Sequence, residues 1–125
     1  MQTINLKWTR YEKMTDARAR GAFWDTPCVY VQADSYGQAV RVGKASLGLE
    51  ARYRGGTGYA IDAAAHSSGN PVFVAPVSRK LCDIVERSLI WENREVLTYN
   101  NVGKKTPPKT QIRIVHAGQA PRFIK

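Results

Sequence analysis

The sequence predicts an α/β fold of the α+β sandwich type, and three observations predict it. Short β-rich runs bounded by turn formers recur at residues 28–32, 38–42 and 72–77. One longer stretch, 79–93, has the three-and-four spacing of a helix instead of the alternation of a strand. The length of 125 residues suffices for one hydrophobic core and is too short for two, so fold and function are expected to share a single unit covering 1–125.

The lead segment, 1–25, is mixed and charged, with a short helix predicted over 14–20 and Thr15 or Asp16 near its start. After the turn-like Asp25-Thr26-Pro27, the run Cys28-Val29-Tyr30-Val31-Gln32 reads as a strand emerging from a proline stop. A second strand follows over 38–42. Asp34, Ser35 and Gly37 are turn formers, so the two runs pair most simply as an antiparallel hairpin with a loop of several residues. Gly43 ends the second strand, and Ser46 is placed to cap a short helix in which Leu47, Leu49 and Tyr53 alternate with Glu50, Arg52 and Arg54. Gly55, Gly56 and Gly58 then break the chain, and this stretch lacks the lysine and strand context of a phosphate-binding loop. An alanine-rich helix is predicted over 59–66, stopped by Ser67-Ser68-Gly69-Asn70-Pro71.

The run 72–77 reads as a third strand with Pro76 at its end. The helix predicted over 79–93 has Ser78 as its N-cap and Leu81, Ile84, Val85, Ser88 and Leu89 on one face. Cys82, Glu86 and Ile90 form the adjacent stripe. Glu86 thus falls at the margin of the buried face, where a carboxylate is costly unless it is paired or turned toward a site. Residues 99–101 and 106–108 read as loops, and 111–116 alternates as a fourth, edge strand.

Nineteen Lys and Arg against ten Asp and Glu leave a formal charge of +9, which favours polyanionic partners over acidic small molecules. The charge is concentrated in a basic C-terminal extension, 102–125, which holds Lys104, Lys105, Lys109, Arg113, Arg122 and Lys125 and no acidic residue. No apolar run approaches the roughly 18 residues of a membrane span, and no apolar run follows the first charges as in a signal peptide. The expectation is an intracellular, cytoplasmic protein without membrane partners. Cys28 and Cys82 lie in apolar surroundings with no metal or redox spacing and read as buried free thiols. His66 and His116 have no ligand partner at metal spacing. Trp8, Trp24 and Trp91 read first as core residues and second as stacking platforms for bases.

The order of motifs is more specific than any of these. Cys28-Val29-Tyr30 is followed after ten residues by Arg41-Val42-Gly43-Lys44, then by Leu49-x-x-Arg52, by Glu86-x-x-Leu89-Ile90 and by Tyr99-Asn100-Asn101. A strand tyrosine, a strand glycine, a helical arginine, a helical glutamate and a distal asparagine in that order resemble the GIY-YIG nuclease family over roughly residues 26–101. The resemblance implies a small central three-stranded antiparallel sheet flanked by helices. It implies that Tyr30 helps activate the attacking water, that Arg52 contacts the scissile phosphate, and that Glu86 is the protein carboxylate on a magnesium or manganese ion. Asn100 or Asn101 would complete the site, with Arg41 and Lys44 in support. Lys44, Arg54, Lys104, Lys105 and Lys109 would meet the nucleic acid.

These residue types suit the chemistry. Phosphodiester hydrolysis gathers negative charge on the phosphoryl oxygens and the leaving oxygen, so it needs a fixed cation, a base beside the water and a metal. A guanidinium such as that of Arg52 stays charged and forks onto two phosphate oxygens. Magnesium keeps several waters and asks for only one or two carboxylates, so a lone Glu86 is adequate. A tyrosine hydroxyl is a poor base at neutral pH without cations beside it, and Arg41, Lys44 and Arg52 are the candidates. The chain departs from the family pattern at Cys28 and Val29, which a strand tolerates, and at Arg41, which stands where the family has its second tyrosine. Tyr36 in the hairpin loop is the alternative occupant of that role. The primary expectation is a metal-dependent endonuclease acting on DNA. The alternative is a catalytically degenerate nucleic-acid-binding module working in a complex, and a third reading is an unrelated basic α/β protein. One site cuts one strand, so a double-strand break would require a homodimer, a larger nuclease complex or two encounters.

Overall fold

The computed structural model describes residues 1–12, 23, 25–49, 70–98, 100 and 103–125. The predicted helices over 14–20 and 59–66, and residues 50–54 of the helix predicted from Ser46 onward, fall outside them; Ser46 and Leu47 form a turn, closed by the Gly48 N–H on the Ala45 carbonyl at 3.0 Å. The described chain is α+β: a five-stranded mixed sheet and one short α-helix. The strands are β1 (Gln2–Tyr11), β2 (Cys28–Ala33), β3 (Ala39–Ala45), β4 (Val72–Pro76) and β5 (Ile112–Gly118), and the helix α1 is Cys82–Glu92. Their order across the sheet is β3-β2-β4-β1-β5. Only the β1–β5 pair is parallel; β1–β4, β4–β2 and β2–β3 are antiparallel.

The strands read at 28–32, 38–42, 72–77 and 111–116 are β2, β3, β4 and the edge strand β5, but the sheet is five-stranded and mixed instead of three-stranded and antiparallel. The extra strand β1 lies in the lead segment that looked mixed and charged. Its residues alternate strictly, with Ile4, Leu6 and Trp8 buried and Thr3, Asn5 and Lys7 exposed, which is the period-two pattern of a half-buried strand. β5 pairs along its whole length with β1, from Gln2 opposite Ile112 to Trp8 opposite Gly118. Part of the basic extension, Ile112–Gly118, is therefore sheet. Gly118 ends β5 with φ of 71°, and a Cβ there would lie 2.6 Å from the Trp8 carbonyl oxygen, so both the backbone angle and the space require glycine.

The predicted hairpin forms, but Gly43 does not end its second strand: β3 runs on to Ala45, paired with Cys28. Asp34 closes it with its side chain, Oδ1 accepting from the N–H groups of Tyr36 at 2.9 Å and Gln38 at 3.0 Å, while Gly37 takes φ of 82°. Tyr36 is 82% exposed at the tip, which removes it as a stand-in for a buried site tyrosine.

The sheet has two distinct faces. Ile4, Leu6, Trp8, Val29, Val31, Val42 and Phe73 face α1, which contributes Cys82, Val85, Leu89 and Ile90 to the same core. Each such side chain, when fully buried, stabilises the fold by roughly 1.5–3 kcal/mol. The opposite face gathers Cys28, Tyr30, Ala45, Leu49, Val72 and Val74. Cys28 and Cys82 are both buried free thiols, as the sequence predicts.

The helix is shorter than its sequence pattern. Residues Arg79–Leu81 make a 3-10 turn, and Ser78 makes no side-chain cap; its carbonyl accepts from the Leu81 N–H at 2.9 Å instead. Asn93 stops α1, its Nδ2 donating to the Leu89 carbonyl at 2.8 Å. The same side chain holds the chain's last residue, accepting from Lys125 N–H at 3.0 Å and donating to its carbonyl at 3.2 Å. His116 is half-buried and accepts a 2.9 Å hydrogen bond from the Trp8 indole on Nδ1. That bond leaves the proton of a neutral ring on Nε2, and burial pushes the imidazole pKa down. Among the described residues, no helix is long and apolar enough to cross a membrane.

Candidate functional site

The hairpin places Tyr30 directly opposite Gly43. A Cβ on Gly43 would lie 2.7 Å from the Tyr30 Cε2 and closer still to Cζ and Oη. The glycine is therefore the space into which the tyrosine ring folds, since no Cβ approaches that closely without forcing a shift. Tyr30 is fully buried by this arrangement.

Arg41 sits two pairs further along, opposite Gln32, and so on the same face as Tyr30. Its Nη1 donates to the Tyr30 hydroxyl at 3.3 Å. Arg41 is 8% exposed and Gln32 1%, so three polar side chains share a buried patch next to the apolar stripe of Cys28, Val72 and Val74. A guanidinium remains charged in such a place, and burying it is costly unless its donors are engaged.

The strand that carries Arg41 and Gly43 is the outer edge of the sheet. Val42, between them, pairs with Val31 and is completely buried. Asn100 occupies the outer side of this residue. Its Oδ1 accepts from the Val42 N–H at 2.8 Å and its Nδ2 donates to the Val42 carbonyl at 2.9 Å. The side-chain amide thus acts as one residue of a neighbouring strand, satisfying main-chain groups that an edge would leave bare.

α1 brings further charge to the other face. Lys44 bonds Asp83 at 2.7 Å, and Arg87 Nε reaches the second Asp83 oxygen at 2.9 Å. The hydrogen bond from Lys44, backed by the charges of Lys44 and Arg87, holds the Asp83 carboxyl below its ordinary range. Glu86 is half-buried one turn after Cys82. Burial pushes the Cys82 thiol up; the Lys44 charge opposes that rise and the Glu86 charge adds to it, which puts both charges near one stretch of α1. Among the described residues, no three His, Cys, Asp or Glu side chains cluster as a multi-ligand metal cage would need. Both Asp83 oxygens are taken by Lys44 and Arg87, so Glu86 is the α1 carboxylate that would hold an ion, and only one that keeps most of its own waters, such as magnesium, asks for so few protein ligands.

The structure thus gathers Tyr30, Arg41, Gly43 and Asn100 along the β2–β3 hairpin, while Lys44 and Glu86 belong to the α1 side of the sheet. Arg52, Arg54 and Asn101 lie outside the described residues. Lys104 is tied down, its Nζ donating to the Leu97 carbonyl, whereas Lys105 and Lys109 are exposed. Sequence reasoning missed Gln32 and Asp83. The i, i+4 spacing of Asp83 and Arg87 is a usable signal for the second; nothing local marks the first.

No family model matches the chain, and no curated protein or solved structure is significantly similar to it.

Proposed function

We propose that this chain is a divalent-metal-dependent endonuclease that hydrolyses phosphodiester bonds, with DNA as its substrate. The observation that carries the reading is the packing of the Tyr30 ring into the space left by Gly43, with the Tyr30 hydroxyl bonded to Arg41. A core that only needed filling would use apolar side chains here; a buried arginine on a tyrosine hydroxyl is costly to fold and suits a site that handles anions. In this reading Tyr30 orients the water, Arg41 keeps the hydroxyl in place, and Asn100 fixes the strand carrying Arg41 and Gly43. Arg52 meets the phosphate, and Glu86, which lies on the α1 side of the sheet and not on the Tyr30 face, would hold an ion apart from the Tyr30 patch. The metal, when bound, neutralises charge on the leaving oxygen.

A second reading rests on a specific observation. Arg41 is itself buried and engages the hydroxyl that catalysis would use, which suits a module that binds nucleic acid without cutting it.

Plasmid nicking with magnesium, against a chelator control, separates the two. The endonuclease reading expects magnesium-dependent nicking that falls more than about 100-fold in Glu86→Ala while filter binding of DNA is retained. Nicking that survives in Glu86→Ala refutes the catalytic assignment. Salt-sensitive binding with no nicking at any metal concentration supports the binding module.

A further inference from the structure

A cavity of about 380 Å³ lies well away from the Tyr30 patch, between α1, the outer strand β5 and the 107–111 loop. We propose that it receives one base of a single-stranded nucleic acid, an inference that rests on the nucleic-acid reading above and adds a base-recognition site to it.

Its walls are those of a stacking site. Trp91 on α1, Pro108 on the loop and Ile112 and Ile114 on β5 supply flat or apolar surface. Trp91 is half-exposed, unlike Trp8, which is in the core. The indole is also held: the Arg94 guanidinium lies 3.8 Å over its ring, and Arg94 Nη1 donates to the Trp91 carbonyl at 2.7 Å. A large aromatic ring that is kept exposed and kept still is a poor core residue and a good platform, because stacking then costs little ordering.

The polar lining matches the edge of a base. Gln111 offers a donor and an acceptor on one amide, Ser88 a hydroxyl and Glu92 an acceptor. Flipped or single-stranded bases are recognised through such mixed donor and acceptor edges together with aromatic stacking. The volume falls in the roughly 300–1,000 Å³ range of small-ligand sites and is too small for a duplex. Cations stand near the opening beside the carboxylate of Glu92: Lys125 lines it, Arg94 covers the indole, and Lys109 is exposed on the loop that forms one wall. Those cations suit the phosphates on either side of a bound base.

The test uses the full chain and two dye-labelled octanucleotides, oligo-dT and a backbone of the same length without bases, followed by fluorescence anisotropy at fixed salt. Wild-type protein is expected to prefer the base-bearing strand. Trp91→Ala should weaken that strand by roughly 5- to 100-fold, the usual worth of one stacked base, and leave the abasic strand unchanged. Trp91→Phe should retain most of the affinity. Gln111→Ala, at an exposed position outside the core, should weaken only the base-bearing strand and covers the case in which Trp91→Ala does not fold. Equal binding of both strands by wild type, or equal losses on both in Trp91→Ala and Gln111→Ala, overturns the pocket while leaving phosphate binding intact. Failure of wild type to bind either strand overturns the nucleic-acid reading itself, and this inference with it.

Discussion

Asn100 offers the sharpest test of how the site strand is held. Its side chain makes two hydrogen bonds to a main-chain residue with no exposure at all. Truncation in Asn100→Ala leaves one buried N–H and one buried C=O without partners. Each such group costs about 1–3 kcal/mol when unsatisfied, so the loss should be about 2–6 kcal/mol if water does not enter. Against a total stability of roughly 6–19 kcal/mol for a chain of this length, that is a large fraction. It should appear as a fall in Tm of about 6–20 °C.

Asn100→Asp separates hydrogen bonding from shape. The carboxylate keeps the acceptor for Val42 N–H but replaces the donor with a second acceptor facing the Val42 carbonyl. The protonated acid restores a donor. Folding therefore favours the neutral form, and the folded pKa of the introduced carboxyl lies above its unfolded value of about 3.9. By linkage, stability is greatest below that unfolded value and falls as the pH rises through the folded pKa. Urea unfolding followed by circular dichroism at pH 4 and pH 7 reads this directly. The aspartate variant should be closer to wild type at the lower pH, while the alanine variant should show the same deficit at both. A loss below about 0.5 kcal/mol in Asn100→Ala, or an aspartate variant whose deficit does not grow with pH, would refute the clamp.

Three further outcomes follow from the same structure. Gly43→Ala drives a Cβ into the Tyr30 ring and should cost about 1–3 kcal/mol; a smaller residue at Tyr30 should recover part of that loss in a double-mutant cycle, and strict additivity of the two changes would show that the ring does not occupy that space. Burial pushes the Cys28 thiol up to about 12, so thiol reagents at pH 8 should label it only on unfolding. Because the unfolded thiol titrates near 8.5, its contribution should be complete below that pH and decline as the pH rises toward 12; a Cys28→Ser variant with the same alkaline decline as wild type would contradict this. Lys44→Ala removes an exposed pair and should change stability by less than about 1 kcal/mol, measured by urea unfolding, so a larger loss would mean that the pair is a structural anchor.

Much of the frame was legible in the sequence because local chemistry fixed it. Pro27 and Pro76 bound strands β2 and β4, Asp34 and Gly37 close the hairpin, and Val85, Ser88 and Leu89 mark the buried face of α1, which in the structure turns further toward Cys82 and Ile90 than the spacing predicts. β1 was equally periodic, yet Lys7 and Arg10 between its apolar residues made it look like a charged lead. Its pairing with β5, more than a hundred residues away, has no local signal at all. The same holds for the site. Tyr30 and Gly43 are readable as a motif, but that the glycine exists to admit the tyrosine ring depends on register. That Asn100 serves the main chain of Val42 depends on β3 being an edge, a property of strand order that no short stretch of sequence contains.

Arg41 is where fold and proposed chemistry meet most closely. A tyrosine in its place would present one hydroxyl to the shared patch, whereas arginine brings a permanent charge that must stay bonded to remain buried. Its bond to the Tyr30 hydroxyl is long for a charge-assisted contact at 3.3 Å, and such a contact can be given up to a better acceptor. A phosphate oxygen is a better acceptor than a phenol. Binding of an anion near Tyr30 would then move the guanidinium from the hydroxyl toward the phosphate. Arg41→Lys tests the idea, because an ammonium keeps the charge but not the fork. The endonuclease reading expects it to bind DNA almost normally and nick more slowly. Wild-type nicking in Arg41→Lys would assign the guanidinium to the fold alone.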